Sequence, residues 1–91
     1  MDDDTIILDV RTPDEYASGH LAGARLLDYA GGEVAAAVPH LDPDADYLLY
    51  CRSGNRSGQA LELMERAGFT SLTNLGSLAD AADAIGLPIV R

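Results

Sequence analysis

The fold is decided by residues 47–68, which read YLLYCRSGNRSGQALELMERAG. Residues 47–50 form an apolar run of strand length, and the polar turn at 42–46 precedes it. From Ser57 onward, apolar side chains recur at helical spacing with charged ones between them, until Gly68 supplies a stop. The stretch therefore predicts a buried strand and an amphipathic helix, with Cys51 at the carboxyl end of the strand.

The segments on either side continue this alternation. Residues 5–10 are apolar and β-branched, which is the pattern of a central strand buried on both faces. Thr12, Pro13 and Glu15 supply an N-cap, a proline at the first helical position and a capping carboxylate, so a brief helix begins there and stops near Gly19. Further strands are expected at residues 24–27 and 72–75, with helices at 32–38, ended by Pro39, and at 77–85, closed by Gly86.

Alternating strands and helices predict an α/β fold with a central parallel sheet covered on both faces, because parallel strands need crossovers and crossovers are usually helical. A length of 91 residues suits one domain, residues 1–91. Ligands on such sheets bind beyond the carboxyl ends of the strands. The candidate site is therefore expected around Cys51.

Charge and composition exclude several kinds of partner. Six arginines against fifteen acids give a formal charge of −9, which repels phosphate backbones and anionic membranes. No apolar run reaches the roughly 18 residues of a membrane span, and the start Met1-Asp2-Asp3-Asp4 lacks the basic head of a signal peptide. We expect no nucleic acid, no membrane and a cytoplasmic location, where a lone thiol such as Cys51 stays reduced.

The segment from Cys51 to Ser57 carries the candidate chemistry. It lies between a predicted strand end and a predicted helix start, where unpaired backbone N–H groups favour an anion. These amides, together with Arg52 and Arg56, favour a thiolate over a thiol, so Cys51 is expected to be a nucleophile of low pKa.

The size of the expected shift shows which interaction must dominate. Lowering a thiol pKa from about 8.5 to about 6 requires roughly 3.4 kcal/mol. A helix dipole supplies only about 0.3–1 kcal/mol. Two or three amide hydrogen bonds to the sulfur would cover the difference, and Gly54 permits the backbone angles that let the loop curl around it.

Simpler interpretations exist for most of these residues. A lone cysteine such as Cys51 is often buried and structural. Arg52 and Arg56 could be solvated or paired with nearby acids such as Glu62. The neighbours of Cys51 favour a reactive thiol, whereas for Arg56 the two interpretations are equal.

Other polar residues fit structural roles better than catalytic ones. Asp9 and Arg11 suit a hydrogen-bonded pair that fixes the turn after the first strand. His20 suits a packing or turn role. Neither His20 nor His40 has metal-ligand spacing with Cys51, so no metal site is expected.

The sequence resembles the rhodanese family of sulfurtransferases, whose active-site loop is a cysteine and five further residues before the next helix. The ordered motifs that carry the resemblance are residues 7–16, residues 19–24, the Cys51 loop and residues 74–76. The resemblance implies a three-layer rhodanese-like domain whose parallel sheet has four or five strands. Four strands would follow from the lack of the strand and helix that precede this region in longer members. Residues 75–78 also depart from the family, which often has paired glycines and a tryptophan there.

The resemblance implies a thiosulfate sulfurtransferase. The Cys51 thiolate would attack the outer sulfur of a small anionic donor, leaving a persulfide that a thiol, for example of a thioredoxin-like protein, or cyanide removes. No metal or organic cofactor is implied, and a monomer is expected. The substrate-binding residues would be Arg52, Ser53, Gly54, Asn55, Arg56 and Ser57, whose N–H groups stabilise the persulfide while the two arginines orient the donor.

Two rival functions remain. Cysteine phosphatases place five residues between cysteine and arginine, whereas four separate Cys51 from Arg56, so the ring is too tight for a phosphoryl group. A noncatalytic rhodanese-like binding or regulatory module is the other alternative, because a shared fold does not guarantee shared chemistry. The presence of Cys51 in a suitable loop favours catalysis.

Overall fold

The computed structural model describes residues 5–91. The acidic start at residues 1–4, on which the expectation about a signal peptide rests, lies outside the described residues. The described elements, in chain order, are β1 (Ile6–Asp9), α1 (Pro13–Ser18), β2 (His20–Leu21), β3 (Arg25–Leu26), α2 (Glu33–Ala37), a 3-10 turn (Val38–His40), β4 (Tyr47–Cys51), α3 (Asn55–Arg66), β5 (Leu72–Ser77), α4 (Leu78–Ile85) and β6 (Ile89–Val90).

The central sheet has four parallel strands in the order β3-β1-β4-β5. Strands β1 and β4 occupy its interior and pair from Ile6 with Tyr47 to Asp9 with Tyr50. This confirms the predicted parallel sheet in its four-stranded form. Because all four strands run the same way, their carboxyl ends meet at one edge, and Cys51 ends β4 at that edge.

Two apolar clusters cover the two faces of the sheet, which gives the predicted three layers. Alternate side chains of β1 and β4 point to opposite faces, so Leu8 and Leu49 enter one cluster while Ile7 and Tyr50 enter the other. Each fully buried aliphatic side chain contributes about 1.5–3 kcal/mol. The first cluster includes Val34 of α2 with Ala60 and Met64 of α3, and the second includes Ala81 of α4.

Local signals define helix α1 correctly. The Thr12 hydroxyl accepts from the Glu15 N–H at 3.3 Å, and the Glu15 carboxylate accepts from the Thr12 N–H at 3.1 Å. This capping box satisfies two backbone donors that a helix start otherwise leaves unpaired. The helix ends at Ser18 with Gly19 as its C-cap, as the sequence predicts.

A buried ion pair fixes the turn that follows β1. Arg11 donates to both carboxylate oxygens of Asp9, at 2.9 Å from Nε and 2.6 Å from Nη2, and also to the Gly19 carbonyl at 2.6 Å. The Tyr50 hydroxyl donates to the same carboxylate at 2.8 Å. Burial lowers the pKa of Arg11, but the contacts with Asp9 raise it by more, so the guanidinium stays charged. The pair therefore has the structural role that the sequence suggests.

Several boundaries differ from the sequence-based prediction, and three of the differences have a clear physical reason. Helix α3 begins at Asn55 instead of Ser57, because its polar first residues carry no apolar periodicity. Pro39 lies in the 3-10 turn that follows α2. At the start of such a turn a backbone N–H has no partner within the turn, so the missing N–H of proline is not destabilising. Strand β5 continues beyond residue 75 to Ser77.

Strands β2 and β6 form an antiparallel pair that the sequence analysis missed. His20 pairs with Val90 and Leu21 with Ile89. Each strand has two residues, which is too short to show the alternation that identifies a strand. The pair attaches the last strand, β6, to the segment that follows α1.

Candidate active site

Cys51 is the last residue of β4, and the loop between it and α3 has only three residues, Arg52 to Gly54. The first turn of α3 then contributes Asn55, Arg56 and Ser57, of which the sequence predicts only Ser57 to be helical. The backbone N–H groups of a first helical turn have no partner within the helix. Cys51 therefore lies at a strand end that faces the amino end of a helix, where a negative charge is stabilised.

Several donors converge on the Cys51 sulfur. The Gly54 N–H donates to Sγ at 3.0 Å, and the Ser57 hydroxyl lies 3.5 Å from it. Burial raises the pKa of Cys51, whereas the Ser57 hydroxyl and the N–H groups of Ser57, Ser53 and Gly54 together lower it to about 7. Hydrogen bonds thus outweigh desolvation, and a large fraction of Cys51 is thiolate at neutral pH.

Gly54 makes this convergence sterically feasible. Its φ of 93° is a left-handed conformation that residues with a side chain rarely adopt. A Cβ at this position would also meet the Cα of Gly76 at 3.2 Å. Both the backbone angle and the close approach of strand β5 therefore disfavour a side chain at position 54.

The structure adds a residue to the site, Asn74, to which the sequence analysis assigned no role. Its Oδ1 accepts from the Ser57 hydroxyl at 2.7 Å and from the Gly76 N–H at 3.0 Å, and its Nδ2 donates to the Gly54 carbonyl at 3.0 Å. The available sequence signal is an asparagine two residues before a glycine, which favours a side-chain turn onto the backbone. Asn74 therefore joins β5 to the last residue of the cysteine loop and to the first turn of α3.

Arg56 forms an ion pair, but its partner is Glu15 and not Glu62. Its Nη1 and Nη2 lie 2.7 and 3.0 Å from the two Glu15 carboxylate oxygens. The pair is partly exposed, with 26% and 27% of the two side chains accessible. The hydrogen bond from Arg56 is the main reason that the pKa of Glu15 falls to about 2, with burial opposing and Thr12 assisting. The charge of Arg56 is thus largely compensated in the resting protein.

The remaining residues of the predicted site lie at the surface. Arg52, Ser53 and Asn55 are exposed, and Asn55 Oδ1 accepts from Gln59 Nε2 at 3.4 Å. Within residues 5–91, Arg52 forms no salt bridge. Its guanidinium is therefore available to an anion that approaches the loop.

Cys51 itself has no accessible surface, at 0% exposure. The expectation of a structural, buried cysteine is met in this one respect. The lowered pKa and the donors around Sγ, however, distinguish Cys51 from an inert core residue. At this exposure, Sγ is closed to a donor molecule unless the atoms around it move.

A cavity of about 570 Å³ lies elsewhere, at the amino ends of β4 and β5. Its lining includes Asp46, Tyr47, Ser71 and Thr73. Cys51 lies at the opposite end of the sheet, at the carboxyl end of β4. Its volume therefore has no bearing on access to the sulfur.

His20 has the packing role that its sequence context suggests. Its ring stacks on Tyr16 with 3.6 Å between the ring centres, and Nδ1 lies 2.8 Å from the Tyr16 carbonyl oxygen. Among residues 5–91, no group of three or more His, Cys, Asp or Glu side chains is placed to hold a metal ion. No helix in that part of the chain combines the length and apolar character needed to cross a membrane.

The chain is similar in sequence to named sulfurtransferases. It is 38% identical over 77 residues to the thiosulfate sulfurtransferase PspE of Escherichia coli, a match that covers 82% of this chain and 72% of that protein. It is 34% identical over 88 residues to a sulfurtransferase of Allochromatium vinosum, which covers 97% and 80% of the two chains. These relatives bear out the predicted sulfurtransferase class.

Solved structures agree with the fold. The rhodanese-like domain of an Anabaena protein superposes with a TM-score of 0.82 at 30% identity, over 100% of this chain and 85% of that one. A rhodanese with anions from E. coli has a TM-score of 0.78 at 35% identity, over 96% and 98% of the two chains. The family model described as Rhodanese-like domain matches residues 1–80. The chain therefore belongs to the rhodanese-like family, as its motifs and its cysteine loop indicate.

Proposed function

We propose that the chain moves a sulfane sulfur from thiosulfate, or a similar small anionic donor, to a thiol acceptor through a persulfide on Cys51. The observation that carries this proposal is the convergence of the Gly54 N–H and the Ser57 hydroxyl on Sγ, with a pKa of about 7 for Cys51. The thiolate is the nucleophilic form of cysteine. The name of the E. coli relative supports thiosulfate as a donor.

In the first half-reaction, the Cys51 thiolate attacks the outer sulfur of thiosulfate. A new S–S bond forms as the S–S bond of thiosulfate breaks, and the electron pair of the broken bond leaves with sulfite. In the second half-reaction, an acceptor thiolate attacks the outer sulfur of the persulfide and the Cys51 thiolate is released. Atoms and electrons balance over the cycle without an added oxidant or reductant.

The backbone N–H groups of the loop and first helical turn would stabilise the negative charge on both the thiolate and the persulfide. Such donors are most effective when they are already oriented before reaction. The carbonyl contact of Gly54 and the left-handed angle of its backbone support such an orientation. The residues in this role are Arg52, Ser53, Gly54, Asn55, Arg56 and Ser57.

The two arginines contribute differently to donor binding in this proposal. Arg52 is exposed and attracts the anionic donor by its charge. Arg56 is held by Glu15 at 2.7 Å, so it contributes orientation more than net attraction. A donor thus meets Arg52 first, and the loop then opens to admit its outer sulfur to Cys51.

Intact mass measurement tests the proposal. The protein is incubated with thiosulfate, freed of reagent and weighed, with Cys51→Ser as the control. The expected result is a gain of one sulfur atom that a thiol or cyanide reverses, and no gain in the control. No gain with thiosulfate or with other sulfane donors would contradict the proposal.

A noncatalytic binding module is the second candidate, and the complete burial of Cys51 is the observation that favours it. The same mass experiment separates the two, because a binding module gains no sulfur. Phosphatase activity is not expected, since only four residues separate Cys51 from Arg56. Turnover of an aryl phosphate comparable to that of thiosulfate would overturn this expectation.

A further inference from the structure

We propose that Asn74 is a positioning residue for the Cys51 sulfur. It acts through the two groups that donate to Sγ, the Gly54 N–H and the Ser57 hydroxyl. Its contact with Gly54 favours the thiolate of Cys51, and its contact with Ser57 disfavours it. Its role in turnover rests on the proposed function. Its effect on ionisation of Cys51 does not, because that effect is measured without a sulfur donor.

The first contact of Asn74 fixes Gly54. Asn74 Nδ2 donates to the Gly54 carbonyl at 3.0 Å, while the N–H of the same residue donates to Sγ at 3.0 Å. Gly54 has no side chain to restrain it, and no side chain caps helix α3 at this position. A hydrogen bond on its carbonyl therefore limits the rotation that would turn the N–H away from sulfur. This contact favours the thiolate of Cys51.

The second contact of Asn74 engages the Ser57 hydroxyl. That hydroxyl has one proton to donate and two acceptors within reach, Asn74 Oδ1 at 2.7 Å and Cys51 Sγ at 3.5 Å. The shorter contact is the one with Asn74. Asn74 therefore competes with the sulfur for this proton, and this contact disfavours the thiolate.

An irregularity of strand β5 places Asn74 in this position. Leu49 pairs with Asn74, but Tyr50 pairs with Gly76, so one extra residue of β5 is inserted between the two pairs. Bulges of this kind redirect side chains and are common beside active sites. The Gly76 N–H donates to Asn74 Oδ1 at 3.0 Å, which holds the redirected amide in place. The amide orientation is thus fixed by three hydrogen bonds together.

A double-mutant cycle measures the two contacts. The pKa of Cys51 is read from the pH dependence of alkylation by iodoacetamide in the native protein, Asn74→Ala, Ser57→Ala and the double variant. Thr73→Ala is the matched control, since Thr73 is the preceding residue of β5 and lines the distant cavity. Alkylation needs no sulfur donor. A native protein that gains no sulfur in the mass experiment would therefore refute the proposed function and leave this test intact.

With Ser57 replaced by alanine, Asn74→Ala should raise the pKa of Cys51 by roughly half a unit to one unit, as expected for one weakened hydrogen bond. With Ser57 present, the rise should be smaller, because the freed hydroxyl turns to the sulfur. Thr73→Ala should leave the pKa unchanged. An unchanged pKa on replacing Asn74 in the Ser57→Ala protein would overturn the inference, and so would equal shifts in the two backgrounds.

Folding of the variants is checked by thermal unfolding. Asn74 is exposed, so its replacement by alanine is expected to leave the fold intact. Should Asn74→Ala fail to fold, Asn74→Leu replaces it, because leucine is similar in size to asparagine, adds no charge and loses the contact with Gly54. In the Ser57→Ala protein the pKa of Cys51 must then rise, and an unchanged value would contradict the inference.

Discussion

Glu15 and Arg56 lie 41 positions apart in sequence and form an ion pair at 2.7 Å beside the cysteine loop. The same Glu15 carboxylate accepts from the Thr12 N–H and so caps α1. One side chain therefore connects the start of the first helix to the first turn of the helix that faces Cys51. Glu15 therefore contributes to the stability of α1 and, in the proposed function, to donor binding through Arg56.

Replacement of Glu15 by glutamine should release the charge of Arg56. Glutamine retains the capping contact with Thr12 but cannot form the ion pair. We expect the KM for thiosulfate to fall roughly threefold, in line with the ~0.2–1 kcal/mol of a partly exposed pair. Glu62→Gln changes the net charge equally on α3 and is the control. An unchanged KM in Glu15→Gln would show that Arg56 does not meet the donor.

Acid should weaken the fold partly through Glu15. Its pKa is about 2 in the folded protein and 4.5 in its reference state, so its contribution is full above about 4.5. That contribution is lost as pH falls from about 4.5 towards 2, because the unfolded chain takes up the proton first. With solvent screening, about 1 kcal/mol is expected. Urea unfolding at several pH values should show a shallower acid loss in Glu15→Gln than in Glu62→Gln.

The rate of sulfur uptake should follow ionisation of Cys51. Because the pKa of Cys51 is about 7, uptake should rise through neutral pH and level off above it. Ser57→Ala removes a hydroxyl that lowers this pKa but that the sulfur shares with Asn74, so the midpoint should move up by about half a unit. Stopped-flow uptake against pH measures both. A midpoint near that of free cysteine in the native protein would contradict the role of the loop.

Gly54→Ala should damage the site more than an equivalent change elsewhere. Alanine at φ 93° is strained, and its Cβ would meet the Gly76 Cα at 3.2 Å, so the backbone must move. We expect a loss of about 1–3 kcal/mol in unfolding free energy together with a large loss of sulfur uptake. Gly68→Ala is the control, since Gly68 has φ +101° but open space around its Cβ. Equal activity in the two variants would refute the importance of the close approach.

The sequence predicts those parts of the fold that local patterns encode. The Thr12 and Glu15 capping box lies within four consecutive residues, and the pairing of Asp9 with Arg11 within three. The strand before Cys51 is recognisable from its own apolar run. Each of these features depends on neighbours in the chain, so its signal is complete in a short window.

The contacts that the sequence does not reveal are those between distant segments. Arg56 meets an acid of α1, although Glu62 on its own helix is closer in sequence. Asn74 reaches the loop because β5 contains an extra residue. A bulge of this kind has no characteristic amino-acid composition, so the sequence does not reveal it. The two-residue strands β2 and β6 can be recognised only from their pairing with each other.

The complete burial of Cys51 has a consequence for how long a bound sulfur would survive. A persulfide enclosed by its own amides would be shielded from peroxide and from stray metal ions between encounters. Its lifetime would then depend on how often the three-residue loop opens and not on the intrinsic reactivity of the S–S bond.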